Sequence, residues 1–156
     1  MRRKERQIKE NSDIESIILR CDVCRIAFAD NNTPYIVTMN FGYKKGEKSS
    51  IYFHCAPEGR KIDLISGNNY VCFEMDTDHH LYTGEKDCDW GMNYSSVVGY
   101  GRITVVSERE EKKKGLDCIM AHYSGRKEFD FDEKVFNRTA VLRLDIEEIT
   151  GKQKKL

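Results

Sequence analysis

The sequence has no net charge and no long apolar stretch, and each absence removes a class of function. Its 26 basic and 26 acidic residues cancel, so no overall field attracts the chain to nucleic acid or to an anionic membrane. No stretch approaches the roughly 18 apolar residues of a membrane span, and the charged residues 1–7 lead to no apolar core of signal-peptide length. We therefore expect a cytoplasmic protein with no nucleic-acid or membrane partner.

Motifs for large phosphate ligands and for metals are also missing. The sequence contains neither a glycine-rich dinucleotide fingerprint nor a P-loop. Cys21 and Cys24 have the spacing of a zinc or redox pair, but no second Cys/His pair follows at a matching interval. The adjacent His79 and His80 would point apart on a strand, which disfavours a shared metal. We expect reduced thiols and no metal site.

The chain of 156 residues has the length of one domain. We divide it into a flexible N-terminal arm at residues 1–11, a domain at 12–150 and a solvated tail at 151–156. Short apolar runs bounded by turn residues predict six strands, at 23–29, 34–41, 49–54, 70–75, 90–106 and 140–146. The turn residues Asp30-Asn31-Asn32-Thr33 predict a hairpin between the first two. Because parallel strands would each need a crossover helix, we expect a mainly β fold: a six-stranded antiparallel Greek-key barrel with short flanking helices.

Helix starts are inferred from capping chemistry. Ser12 and Ser107 each begin a capping box, and Pro57 suits the first turn of a helix because it lacks an N–H that would be orphaned there. The polar stretch 76–89 contains little that could pack, so we expect a long loop there. Four helices are predicted, at 13–21, 57–66, 107–123 and 132–138.

The stretch from Ile51 to Lys61 joins an apolar strand, a turn and a basic helix start. Free backbone N–H groups, the helix dipole, Arg60 and Lys61 would converge near one point, which suits a phosphate monoester. His54 lies at the mouth of the same turn. The same residues also fit a surface turn with two solvated cations. With no glycine-rich motif present, the pattern favours a mononucleotide-like ligand in a barrel cleft.

Three blocks of sequence, in this order and spacing, resemble the flavin-binding split-barrel proteins. They are PYIVTMNF at 34–41, IYFHCAPEGRK at 51–61 and WGMNYSSVVGYG at 90–101. The branch they resemble most is the nitroimidazole-resistance (Nim) type, whose members are relatives of pyridoxamine 5′-phosphate oxidase. The resemblance covers about residues 12–148.

The resemblance implies a six-stranded split barrel that forms a homodimer, with FMN at the subunit interface. By this analogy Arg60 and Lys61 hold the phosphate, His54 lies beside the ring, and Ser96 reaches the cofactor from the partner subunit. Ser95 stands where many relatives have a basic residue, so one expected cationic contact is missing. The cofactor-binding residues implied are Val37, Thr38, Met39, Asn40, Phe53, His54, Gly59, Arg60, Lys61, Ser95 and Ser96.

These positions also make physical sense for a flavin. The cofactor needs a flat apolar slot, hydrogen-bond partners for its ring edge and cations for its phosphate, and a strand of Val, Thr and Met beside a basic helix start offers all three. For Val37 and Met39, however, strand alternation alone favours ordinary barrel core.

The leading functional hypothesis is an FMN-dependent oxidoreductase that reduces small electrophiles, with 5-nitroimidazole-type compounds as the substrates that the resemblance implies and NAD(P)H as a candidate electron donor. The alternatives are a pyridoxamine 5′-phosphate oxidase-like enzyme and a non-catalytic flavin-binding or sensor protein. His54 is the catalytic candidate, because an imidazole titrates near neutrality and can donate a proton to a substrate oxygen. Its alternative role is to cap the turn through a backbone hydrogen bond.

Overall fold

One antiparallel sheet dominates the computed structural model, which describes residues 3–155. Its strands are β1 Gln7–Ile8, β2 Cys24–Asp30, β3 Thr33–Met39, β4 Gly42–Lys44, β5 Ser50–Cys55, β6 Tyr70–Tyr82, β7 Gly91–Val105 and β8 Ala140–Lys154. The helices are α1 Asn11–Ile18, α2 Arg60–Gly67, α3 Arg109–Ser124 and α4 Glu133–Arg138, with short 3₁₀ turns at Lys4–Arg6 and Asp87–Asp89. No helix within this part of the chain is long and apolar enough to cross a bilayer.

The strands follow the order β3-β2-β6-β7-β8-β5-β4, and β1 pairs with β8. This confirms the predicted antiparallel, mainly β fold. The sheet has eight strands instead of six, because β1 and β4 are too short to show an alternating pattern in the sequence. Asn31 and Asn32 have φ angles of 47° and 71°, which two-residue hairpin turns require, and they form the predicted turn between β2 and β3.

The core has two parts, one inside the curved sheet and one under α3. The inner cluster takes apolar side chains from nearly every strand and from α1. In the second cluster, Leu116 and Ile119 of α3 pack on Tyr52 of β5 and Val141 of β8, and each such burial stabilises by roughly 1.5–3 kcal/mol. A Cβ at Gly115 would lie 2.7 Å from Val141, so a glycine here lets α3 approach the sheet closely.

Both ends of the chain are more ordered than the sequence predicted. Gln7 pairs with Lys152 and Ile8 with Gly151, so the expected loose arm contributes a strand. The expected solvated tail is also wrong from 151 to 154, which continue β8 and pair with β7. The pairing satisfies backbone N–H and C=O groups that would otherwise lie at an open sheet edge. Both segments are polar and basic, so no apolar alternation in the sequence indicates that they pair. Residues 1, 2 and 156 of these two segments lie outside the described residues.

Three predicted helix starts are wrong in detail. The residues before α1 and α3 are Glu10 and Glu108, and neither makes a side-chain capping bond, so the two capping boxes do not form. The helix expected from Pro57 begins instead at Arg60, after Gly59. Gly59 has a φ of 123°, a region that side chains other than glycine's rarely adopt, and this sets the start of α2.

The predicted loop at 76–89 is also shorter than expected. β6 continues to Tyr82 and stays paired with β7 after a register shift between Thr77 and His80. Asp78, at this irregularity, has a φ of 59°. An unpaired residue lets a strand bend and then resume its pairing, so polar residues that lacked a packing pattern still belong to the sheet.

Candidate functional site

A cleft of about 510 Å³ opens where the ends of β3 and β5 meet the start of α2 and the end of α4. β3 and β5 do not pair with each other in the sheet, and the cleft lies between their ends. The residues that line the cleft are Thr38, Met39, Asn40, His54, Cys55, Ala56, Lys61, Arg138 and Thr139.

A larger cavity of about 620 Å³ lies between α1 and the connection from β4 to β5. It contains none of the predicted site residues, and its Lys45 is paired with Glu15 at 2.7 Å. We therefore place the candidate site at the smaller cleft, where predicted residues from two strands and a helix converge.

Strand alternation divides the predicted flavin contacts into two groups. Thr38 and Asn40 are exposed at the cleft, whereas Val37 packs against the inner core. Met39 is only 7% exposed but still lines the cleft. In β5 the same alternation buries Phe53 in the core and exposes His54, which lies just beyond the part of the strand that α3 covers.

The two cations at the start of α2 have different surroundings. Arg60 pairs with Asp30 at 3.0 Å, and its guanidinium carbon lies 4.4 Å from the centroid of the Tyr35 ring. Lys61 instead lines the cleft. Gly59 accepts backbone bonds from the amides of Ile62 and Asp63, which leaves the amides at the very start of the helix without an acceptor inside it.

Arg138 is the cleft residue that the sequence did not reveal. It ends α4, two residues before Ala140 starts β8. Because β8 runs antiparallel to β5, Ala140 lies opposite Cys55, and this register brings Arg138 to the end of β5. Knowledge that the last strand pairs with the strand of His54 would have been enough to find it.

The charge inside the cleft is positive and uncompensated. Among residues 3–155, no carboxylate pairs with Lys61 or Arg138. Burial raises the pKa of the Cys55 thiol, and the positive charge of Lys61 opposes that increase. Two cations, an imidazole and the polar side chains of Thr38 and Asn40 therefore face a space into which a small anion can fit.

The two predicted serines of β7 lie outside the cleft. Ser95 is fully buried; its hydroxyl donates to Asp78 at 2.8 Å and accepts from Gln153 at 2.6 Å. Arg20 and Ser95 hold the pKa of Asp78 below its ordinary value. Ser96 is half-buried and pairs with Asp76 of β6, and these two residues lie on the sheet face opposite to that of Ser95.

The cysteine pair near β2 is buried. Cys21 and Cys24 are 1% and 0% exposed, and burial raises the pKa of Cys21 to about 12. A neutral thiol is neither a good nucleophile nor a metal ligand. Within residues 3–155, no three His, Cys, Asp or Glu side chains come together as a group that could hold a metal.

A basic, partly polar cleft at the strand ends of an antiparallel split barrel defines a small-molecule-binding protein of that fold. Comparison with known families then identifies it more narrowly. The profile of the pyridoxamine 5′-phosphate oxidase family matches residues 10–153, and the chain belongs to this family of flavin-binding proteins.

A solved structure supports the same family assignment. A proposed 5-nitroimidazole antibiotic resistance protein from Bacteroides thetaiotaomicron is 33% identical, with a TM-score of 0.82 over 94% of this chain and 86% of its own. The flavocytochrome Anf3 from Azotobacter vinelandii has a TM-score of 0.81 at 17% identity, covering 100% of this chain and 72% of its own, and at this identity it shows the fold alone.

More distant structures share the fold alone. An FAD- and heme-binding protein from Mycobacterium smegmatis has a TM-score of 0.77 at 11% identity, over 97% of this chain and 74% of its own. No curated protein matches the sequence significantly. The family profile and the structure from Bacteroides thetaiotaomicron together establish the family and the split-barrel fold.

Proposed function

We propose that the protein is an FMN-dependent oxidoreductase that binds the cofactor in the cleft between β3, β5, α2 and α4. The observation that carries this proposal is the convergence of unpaired cations and an exposed imidazole in one cleft of a chain from a flavin-binding family. A phosphate monoester carries about −1.5 to −2 charge at pH 7. Lys61 and the amides that follow Gly59 suit that charge.

The remaining cleft residues suit the rest of the cofactor. Thr38 and Asn40 offer hydrogen-bonding groups to the ribityl chain and the polar ring edge, and Met39 offers an apolar edge beside them. FMN, when bound, transfers electrons from a donor such as NAD(P)H to a small electrophile.

His54 is the proposed catalytic residue for reduction of a 5-nitroimidazole-type substrate. Reduction of a nitro group to a nitroso group takes two electrons and two protons and releases water. His54 is exposed at the cleft and can donate one of these protons to the oxygen that gains charge. The likeness to the Bacteroides thetaiotaomicron protein supports this substrate class.

We also propose that the protein is a homodimer whose interface completes the site. Ile36, Ala27, Cys72 and Tyr100 lie opposite one another on consecutive strands and thus share one sheet face. Ile36 is 62% exposed and Tyr100 41%. Thr38 of the cleft lies two residues along β3 from Ile36, on the same face, so a second copy placed on this surface would border the cleft.

Sedimentation tests the dimer directly. We expect the wild type to sediment as a dimer and Ile36→Glu as a monomer with weakened FMN binding. Met120→Glu is the matched control, because Met120 is 42% exposed on α3. A wild-type monomer that retains FMN at low protein concentration would contradict the shared site.

An absorption spectrum tests the cofactor. The purified protein should be yellow and show the bands of oxidised flavin, and FMN should bind more tightly than FAD because the sequence offers no glycine-rich turn for a pyrophosphate. FAD is the necessary comparison ligand, since a structural neighbour binds FAD and heme. Colourless protein that takes up neither flavin would end the proposal.

Turnover separates the alternatives. Anaerobic reduction of a 5-nitroimidazole with NAD(P)H as donor would support the leading function, whereas oxidation of pyridoxamine 5′-phosphate would support the second. Bound flavin without turnover of either substrate would support the non-catalytic sensor.

A further inference from the structure

On the basis of FMN binding in the cleft, we propose that Arg138, and not Arg60, is the second cation that holds the cofactor phosphate. The sequence pairs Arg60 with Lys61 because they are neighbours in the chain. The structure instead brings Lys61 together with Arg138 in the cleft. The phosphate grip is thus assembled from α2 and from the end of α4.

Arg60 already has two partners that satisfy its charge. Its guanidinium pairs with Asp30 and stacks on Tyr35, so binding a phosphate would require it to leave a carboxylate and an aromatic face. These contacts tie the start of α2 to the hairpin between β2 and β3. Arg60 in this position stabilises the packing of α2 against the hairpin.

Arg138, in contrast, is exposed at the cleft and pairs with no carboxylate of residues 3–155. The helix that carries it is capped by one residue and held to α3 by two others. The Asp132 carboxylate accepts from the amides of Lys134 and Val135 at 2.9 and 3.0 Å, and Glu133 accepts two bonds from Arg109 at 2.9 and 2.7 Å. Phe136 is 6% exposed in the cluster under α3.

Ser95 supplies no cation to this cleft, because it is buried and bonded to Asp78 and Gln153. A phosphate monoester with about two negative charges is matched by the two charges of Lys61 and Arg138. The planar guanidinium can in addition bind two phosphate oxygens at once.

The test compares the affinities of FMN and riboflavin, which differ only in the phosphate. We expect Arg138→Gln to weaken FMN binding by about 10- to 100-fold, the range for hydrogen bonds to a charged group, and to leave riboflavin binding within about 2-fold. The loss should shrink at high salt, because screening weakens the exposed contact. Arg138→Lys should recover part of the affinity.

Two further variants provide the comparison. Arg60→Gln should lose less FMN affinity than Arg138→Gln, and Arg126→Gln, on the surface after α3, should lose none. Equal FMN affinity in Arg138→Gln and the wild type would overturn the proposal, as would a loss of riboflavin binding of the same size, which would indicate a misfolded site. If the wild type binds neither flavin, the proposed function itself fails and this inference fails with it.

Discussion

The cleft and the polar network around Asp78 use positive charge in opposite ways. At the network, Arg20 pairs with Asp78 at 2.8 Å, and Ser95 and Gln153 complete a chain of hydrogen bonds. At the cleft, Lys61 and Arg138 have no carboxylate partner among the described residues. The paired cation stabilises the folded chain, whereas unpaired cations repel each other until a ligand neutralises them. Substitutions in the two regions should therefore affect different measurements.

The largest effect is expected from His54→Ala. Loss of a proton donor should slow nitro reduction by about 100-fold or more, the low end for general acid catalysis, while FMN binding is retained. Stopped-flow reoxidation of the reduced protein by a nitroimidazole measures this rate. His80→Ala is the control, since His80 is exposed on β6 away from the cleft. Wild-type turnover by His54→Ala across pH 5.5 to 8 would favour the capping role.

Next in size is the effect of Lys61→Ala on the cofactor. Removing this cation should weaken FMN binding by about 1.5–3 kcal/mol, with less loss at high salt. Because no carboxylate of residues 3–155 pairs with Lys61, the free energy of unfolding without flavin should stay within about 0.5 kcal/mol of the wild type. Fluorescence titration and urea unfolding give the two values, with Lys48→Ala as the control. Unchanged FMN affinity would place the phosphate elsewhere.

Asp78→Asn should lower the stability of the protein and leave FMN binding unchanged, the opposite of the result expected for Lys61→Ala. Asparagine also tolerates the left-handed backbone of this position, so the substitution removes mainly the charge that pairs with Arg20. The pair is partly exposed, and we expect a loss of about 1 kcal/mol of unfolding free energy with no effect on FMN binding. A loss of FMN affinity without a loss of stability would contradict this assignment.

The stability difference should also depend on pH. Arg20 and Ser95 lower the pKa of Asp78 in the folded state, so its contribution is present above the unfolded pKa of about 3.9 and is lost as the pH falls through the lower folded value. Wild type and Asp78→Asn should therefore differ in unfolding free energy by a constant amount from pH 5 to 8. The difference should begin to shrink below about pH 4 and vanish only below the folded pKa. Urea unfolding at several pH values checks this.

Sequence patterns located the strands because apolar alternation is a local property. The predicted strand at 49–54 and the observed β5 differ by one residue at each end. Turn chemistry at Asn31 and Asn32 was equally local and was confirmed. The pairing of Gln7 with Lys152 was not predictable in this way, because it joins two polar segments from opposite ends of the chain.

The residues of the candidate site also differ in whether a local sequence pattern could predict their position. His54 and Lys61 stand close together in the sequence, and the structure places both at the cleft. The sequence suggested the same place for Arg60 because it directly precedes Lys61, but its side chain pairs with Asp30. Arg138 was missed because its position depends on the register of β8 against β5, which no local pattern specifies.

The smallest effect is expected from Asp132→Ala, which acts on the cleft only through the start of α4. Asp132 caps α4 through the amides of Lys134 and Val135, and loss of such a cap costs about 0.5–2 kcal/mol. We expect the low end because α4 has only six residues and Phe136 still anchors it. A looser α4 should hold Arg138 less firmly, so FMN affinity should fall about 2- to 3-fold.

Riboflavin and a neighbouring carboxylate supply the controls for this substitution. Riboflavin binding should not change, because the cap acts on the phosphate only through Arg138. Asp130→Ala removes an exposed charge from the same connection without removing a cap, so it should alter neither stability nor affinity. If Asp132→Ala lowered the stability but left FMN affinity equal to that of Asp130→Ala, the end of α4 would not need to be rigid for binding. Arg138 would then bind the phosphate equally well without the cap.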